Sequence, residues 1–195
     1  MIRRNRSPQM TEAEKYTRTA VLLHWGIALF ILVNVGLGLG ANYAPVPWQR
    51  PMIDLHKSIG ITVLFLVIAR IAWRLTHKPP TLPADYAPWE RTLAHTVHYA
   101  LYLLILALPL TGWIHDSAWS AAAGHPLKLF WIIPWFRLGF ITTLPAATKH
   151  EFHLWFGIIH TYLGYTLYAL LAGHIAGALK HQLLDHRPEL QRMWR

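Results

Sequence analysis

Apolar residues run along this chain in four long blocks, each with few or no formal charges inside it. No Asp, Glu, Lys or Arg occurs between Arg18 and Arg50, and the block from Ala20 to about Ala41 reads as a first span. A second runs from about Ile53 to Trp73, with Lys57 near its start and Arg70 near its end, where long side-chain stems can snorkel to a surface. The third covers about Leu93 to Trp113, with Pro109 predicting a kink, and the fourth about Phe156 to Leu179. Each block has the ~20 residues that a helix needs to cross about 30 Å of hydrocarbon. The pattern predicts an all-α integral membrane protein, a bundle of four transmembrane helices.

Arg3, Arg4 and Arg6 before the first block raise the possibility of a signal peptide. That block is too long for an h-region and its exit, Asn42-Tyr43-Ala44, is a poor cleavage site, so an uncleaved helix is expected. Composition agrees with a membrane location: 54% of the 195 residues are hydrophobic and 14% are charged. The net charge of +9 excludes little until it is sorted by side. Thirteen of the 18 Lys and Arg fall before the first span, at the inner end of span two (Arg70), between spans two and three, and after span four; the other five are Arg50, Lys57, Lys128, Arg137 and Lys149. The positive-inside rule then puts both termini in the cytoplasm of a bacterial inner membrane, and no nucleic-acid partner is needed to account for the charge. The outer segment from His115 to about Trp155 mixes Trp119, Trp131, Trp135 and Phe136 with prolines, and is expected to be a partly helical or interfacial loop in contact with lipid. The chain divides into an extension over 1–15, a membrane domain over 16–181 and a basic tail over 182–195.

The absence of cysteine excludes disulfides, thiolate zinc sites, iron–sulfur clusters and covalently attached haem, so a metal would sit on nitrogen or oxygen. The 13 histidines are the obvious nitrogen source, and histidine inside a span is costly unless it has a task. Sorted by depth, His24 lies near the inner end of span one and His56 near the outer start of span two. His160 lies near the outer end of span four and His174 near its inner end. The last two are fourteen residues apart, about 21 Å along one helix and within roughly 40° of one face. His24 is matched in depth to His174, and His56 to His160. Facing imidazoles from different helices are the axial ligands of a b-type haem, so two stacked haem b groups are expected.

Some alternatives remain open at this point. His95 and His98, at the inner start of span three, could replace His24, bond a haem propionate or cap the helix. His153, seven residues before His160, rivals it as outer ligand. His77, His115, His125, His150 and His186 read as solvated loop residues. His150-Glu151-Phe152-His153 falls one residue short of the zinc-peptidase pattern, and no nucleophile elbow, Walker loop or dinucleotide fingerprint occurs. The pairs Gly36/Gly40 and Gly173/Gly177 read first as close helix packing, with room for a porphyrin as the second reading, and the same choice applies to Gly60 and Gly164.

Several runs resemble the bacterial cytochrome b561 family: Leu23-His24-Trp25, Leu55-His56-Lys57-Ser58-Ile59-Gly60, Leu93-Ala94-His95-Thr96-Val97-His98-Tyr99, Ala107-Leu108-Pro109-Leu110-Thr111-Gly112, the His160 to His174 stretch with Ala178-Leu179-Lys180-His181, and Leu190-Gln191-Arg192-Met193-Trp194. The resemblance covers nearly the whole chain from Tyr16 and looks close to the superoxide:ubiquinone oxidoreductase type. It implies four helices enclosing two b haems on the histidine pairs above, with ubiquinone as acceptor near His181 on the cytoplasmic side. The donor it implies is superoxide, and Lys57 would help to steer that anion at the outer mouth. The extension before Tyr16 and the Trp- and Pro-rich outer loop depart from the pattern. They leave open a second role, a cytochrome b subunit wiring a periplasmic dehydrogenase or carrier to quinone.

Overall fold

The computed structural model describes residues 15–81 and 86–194; the extension before Lys15, part of the proline-rich inner loop and Arg195 lie outside the described residues. Four helices are long and apolar enough to cross a membrane: α1 (Arg18–Gly40), α2 (Val46–Thr76), α3 (Pro88–Ser117) and the helix that begins at Ala146. Between α3 and that last span lie a 3₁₀ turn (Ala122–Gly124), a two-residue hairpin of β1 (Lys128–Leu129) with β2 (Ile133–Pro134), and a short α4 (Gly139–Thr142). The fourth span is α5 (Ala146–Leu179), which runs into a π-helical turn (Lys180–Leu184) and then α6 (Glu189–Arg192).

Local chemistry sets the ends. Thr17 caps α1 by accepting from the Ala20 amide at 3.3 Å. Prolines stand at the first turns of α2 and α3 and just before α5, where a missing N–H is harmless. Glu90 reaches back to the Ala87 amide at 3.2 Å. Pro109 lies inside α3 without ending it. Spans two to four therefore extend beyond the apolar blocks: α2 starts at Val46, α3 continues to Ser117, and α5 begins ten residues before Phe156. The outer segment shrinks to 118–145, and His115 and His150, expected in a loop, are helical.

The buried core is small, built on Ile27, Ile31, Ile59, Val63, Val67, Leu104 and Leu167. Leu22, Leu29, Phe65, Leu103 and many other apolar side chains face outward, which is stable only against lipid. α1 packs on α2, α3 on α5, and α2 joins the two pairs through α3; α5 does not pack closely against α1 or α2. The two ends of the described chain, Lys15 and Trp194, lie on one face, which we term the terminal face. There the Tyr16 amide donates to the Arg192 carbonyl (3.1 Å) and Trp25 Nε1 to the Met193 carbonyl (2.7 Å). The opposite, loop face carries the hairpin, where Phe130 and Trp131 take positive φ and the Phe130 amide donates to Ser58 Oγ at 2.9 Å.

Glycine is not the packing device expected of it at every position. A Cβ at Gly36, Gly173 or Gly177 would meet nothing within 4 Å, so close helix contact does not account for those three, whereas one at Gly40 would come within 2.9 Å of Met52.

Candidate haem-binding sites in the bundle

The gap that α5 leaves against α1 and α2 is bridged by histidines at two depths. Near the loop face, the His56 ring on α2 and the His160 ring on α5 have centroids 6.0 Å apart with planes at 81°. Near the terminal face, His24 on α1 and His174 on α5 are 6.2 Å apart at 71°. Two metal–nitrogen bonds of about 2 Å, plus ~1.1 Å from each nitrogen to its ring centre, set imidazoles on opposite sides of one metal ~6 Å apart. Both pairs fit that separation. His98 is also brought beside His174, but at 5.2 Å it is about an ångström too close to share a metal with it in this way. His95, three residues earlier on α3, is exposed.

The loop-face rings are held from behind. His56 Nδ1–H donates to the Asn34 carbonyl at 2.9 Å, and His160 Nδ1–H to the Leu108 carbonyl at 3.0 Å with Thr111 Oγ1 3.2 Å away. Such bonds fix the tautomer and leave Nε2 as the free lone pair, the arrangement that metal-bound histidines use. Each ring also lies on a glycine: a Cβ at Gly38 would come within 3.1 Å of the His56 ring, and one at Gly112 within 3.1 Å of His160. Around the rings is a cavity of about 480 Å³ that reaches from the loop face toward the middle of the bundle, lined by Val35, Ile53, Gly60, Leu108, Gly164 and Tyr168 among others, of a size that suits a cofactor. Asn34 Oδ1, buried without a hydrogen-bond partner, also belongs to a lining residue of this cavity. An apolar slot with two opposed, pre-aimed imidazole nitrogens and no thiolate fits a b-type haem.

His115, expected as a solvated loop residue, and His153, a rival for the outer ligand by position, instead pack against each other. They cross-link α3 and α5: each Nδ1–H donates to the other's backbone carbonyl (2.7 and 3.0 Å), and the rings stack 3.9 Å apart. Gly157 makes room for this, since a Cβ there would lie 2.9 Å from the His115 ring. The signal that could have shown it was Pro145, an N-terminal helix marker placed well before the apolar block.

Charge gathers at the mouth of the same cavity. Asp116, almost fully buried, accepts from Lys57 Nζ at 2.6 Å and from Arg137 Nε at 2.8 Å; Asp54 pairs with Arg50 at 3.0 Å and lies 3.5 Å from Lys57. Three cations face two carboxylates, so the cluster keeps a single positive charge, and Lys57 is bound within it. On the terminal face, His181 sits in the π-helical turn, stacked on Tyr86 (4.5 Å) and donating from Nδ1 to Asp185 Oδ2 (2.7 Å). Burial and the hydrogen bond to Glu189 push the Tyr86 hydroxyl above the usual phenol range. The hydrogen bond from Lys180, reinforced by His181, holds the Asp185 carboxyl below the usual carboxylate range. Glu90, His181 and Asp185 lie close enough to resemble a metal cluster, but Lys180 Nζ at 2.6 and 2.9 Å from the two carboxylates already supplies the cation.

Comparison with known proteins agrees in one direction. A family model described as prokaryotic cytochrome b561 matches residues 15–195. The chain is 31% identical over 183 residues to cytochrome b561 homolog 2 of Escherichia coli, covering 92% of this chain and 91% of that protein. It is 25% identical over 181 residues to cytochrome b561 homolog 1 of the same organism, covering 92% of this chain and 96% of that protein. It is also 30% identical over 112 residues to a Yersinia pestis protein named probable superoxide oxidase CybB, covering 55% of this chain and 64% of that protein.

Proposed function

The chain belongs to the prokaryotic cytochrome b561 family of membrane electron-transfer proteins, and from that premise we propose that it carries two b haems and oxidises superoxide at the loop face while reducing ubiquinone at the terminal face. The observation that carries this reading is the pair of imidazole couples, His56/His160 and His24/His174, at two depths along one helix. Haem held by two histidines supplies a one-electron couple with no open coordination position, so donors and acceptors exchange electrons at its edge. Two superoxide ions give two molecules of oxygen, and one quinone takes two electrons and two protons to become quinol.

The chain's own residues supply the rest. Asn34, Leu108, Gly38 and Gly112 aim the loop-face rings, and the apolar lining keeps that slot dry. The residual positive charge at the cavity mouth favours a small anion there, with Arg50 and Arg137 contributing as well as Lys57, on the side that the positive-inside rule assigns to the periplasm. At the other face, the His181 imidazole, braced at Nδ1 by Asp185 and stacked on Tyr86, offers Nε2 to the quinone site, accepting from a quinol hydroxyl as a neutral ring and donating to a quinone carbonyl when protonated.

A second reading, a redox wire from a periplasmic donor protein to quinone, is supported by the exposed aromatic and aliphatic side chains of the loop face, Trp131, Ile132, Phe136 and Phe140. The test is a superoxide pulse on haem-loaded protein with a soluble ubiquinone analogue. The expected result is quinol formation that superoxide dismutase suppresses. Absence of quinol, while dithionite still reduces and air reoxidises the haems, would overturn the superoxide assignment and favour the wire.

A further inference from the structure

A second cavity, of about 390 Å³, opens on the terminal face between the start of α1 and the end of α2. Tyr16, Thr17, Arg70, Trp73, Arg74 and Lys78 form its working walls, with Tyr102 of α3 behind. It is a built feature. The Tyr16 amide donates to the Arg192 carbonyl at 3.1 Å and Arg192 Nη2 donates to the Thr81 carbonyl at 2.7 Å, so the C-terminal segment ties two opposite rims together. Trp73 Nε1 donates to Thr17 Oγ1 at 2.9 Å and closes the side.

The charge balance of this cavity is unusual for a membrane-spanning helix. Arg70 donates from Nε to the Tyr102 hydroxyl (2.9 Å) and from Nη1 to the Ala20 carbonyl (2.8 Å), and the Arg74 guanidinium lies over the Tyr102 ring at 5.7 Å. All of these partners are neutral. Among the described residues no Asp or Glu lines the cavity or pairs with either arginine. Partly desolvated guanidinium groups bonded only to neutral acceptors attract an anion strongly, and their planar donors suit phosphate oxygens. His24, His98 and His174 do not line this cavity, so a haem held on them is separate from it, although Arg70 lies near enough to those rings to face both. Trp73, at the inner end of span two, is a residue type that settles at headgroup depth, which favours a lipid over a soluble ion.

We propose that this cavity binds the phosphate of an acidic phospholipid headgroup through Arg70, Arg74 and Lys78. Basic pockets between helices at the membrane surface are suited to such lipids. The experiment is native mass spectrometry of the purified haem-loaded protein, with thermal-shift titrations of phosphatidylglycerol, phosphatidylcholine and inorganic phosphate, on wild type and the double variant Arg74→Gln/Lys78→Gln. The expected result is an acidic lipid retained by wild type, stabilisation by phosphatidylglycerol alone, and at least about tenfold weaker lipid binding in the variant with its haem bands unchanged. Equal stabilisation by phosphatidylcholine, or equal lipid retention in the variant, would overturn the proposal. Equal stabilisation by inorganic phosphate would assign a soluble anion site instead and overturn it too. The wild-type titrations decide the matter even if the variant does not fold.

Discussion

The two histidine pairs have nearly the same separation but are held in different ways. On the loop face, both rings are bonded through Nδ1 to backbone carbonyls and seated on glycines. On the terminal face, neither His24 nor His174 makes a ring hydrogen bond among the described residues, and a third imidazole, His98, stands 5.2 Å from His174. The first pair is oriented by the protein's own hydrogen bonds and glycine seats; the second lacks those bonds and has a third imidazole beside it. Preorganisation of this kind makes a site intolerant of change, and its absence makes one adaptable.

That contrast is tested most strongly by removing ligands. His56→Ala or His160→Ala should lower the haem content from about two to about one per chain, because His115 and His153, which also line that cavity, are tied to each other by hydrogen bonds and stacking. His24→Ala should lose less, with His98 moving in to give a second haem of altered reduced spectrum. Pyridine haemochrome quantitation with reduced-minus-oxidised spectra measures both. Equal loss in His24→Ala and His56→Ala would break the comparison.

Charge should follow the same asymmetry. Asp116 is 7% exposed at its side chain and holds two cations, so Asp116→Asn leaves Lys57 and Arg137 repelling each other at low dielectric and should destabilise by about 3 kcal/mol. Lys180 is 42% exposed, and Lys180→Ala should lower the thermal midpoint only slightly. Chemical denaturation in detergent compares the two.

Glycines sharpen the contrast at smaller cost. Gly38→Ala and Gly112→Ala push a methyl group to 3.1 Å from an imidazole and should destabilise by roughly 1–2 kcal/mol while lowering retention of the loop-face haem. Gly173→Ala and Gly177→Ala meet no protein atom, so the apoprotein should be unaffected. Loss of haem from these two variants would show that the space belongs to the porphyrin; unchanged haem content would leave these glycines without a role in cofactor binding.

Much of this architecture is legible in the sequence because the bilayer imposes a simple rule. A helix must stay apolar for about 20 residues, so the four spans and the depth of each histidine follow from counting. What counting misses is polar residues that satisfy one another. Lys57 and Arg137 read as charges at the outer membrane surface, yet their pairing with Asp116 lets α2 and α3 carry charge within helices. Pro109 reads as a kink near the end of a span, yet α3 runs eight residues beyond it, and that extension places His115 against His153. The glycine seats under His56 and His160 depend on which turn of which neighbour each ring meets, a tertiary fact with no local sequence signal.

The smallest expected effect concerns the terminal face alone. Asp185 accepts from Lys180 Nζ at 2.9 Å and from His181 Nδ1 at 2.7 Å, and its carboxyl is held below the usual carboxylate range, chiefly by the lysine. A depressed folded-state pKa means that the stabilisation is complete above the unfolded value of about 3.9 and disappears as pH falls through the folded one. Wild type should therefore exceed Asp185→Asn slightly in thermal midpoint at pH 7, and the two curves should converge as the pH is lowered below about 4. The same substitution removes the acceptor that orients the His181 ring, so the Michaelis constant for a ubiquinone analogue should rise more than the turnover number falls. Parallel stability curves from pH 7 to pH 3 would show that the carboxylate contributes no charge interaction. A turnover loss without a change in the Michaelis constant would take Asp185 out of quinone positioning. Asp116 on the loop face is no counterpart to Asp185, because at 7% side-chain exposure it is locked in a buried pair with two cations rather than open to the titrating solvent.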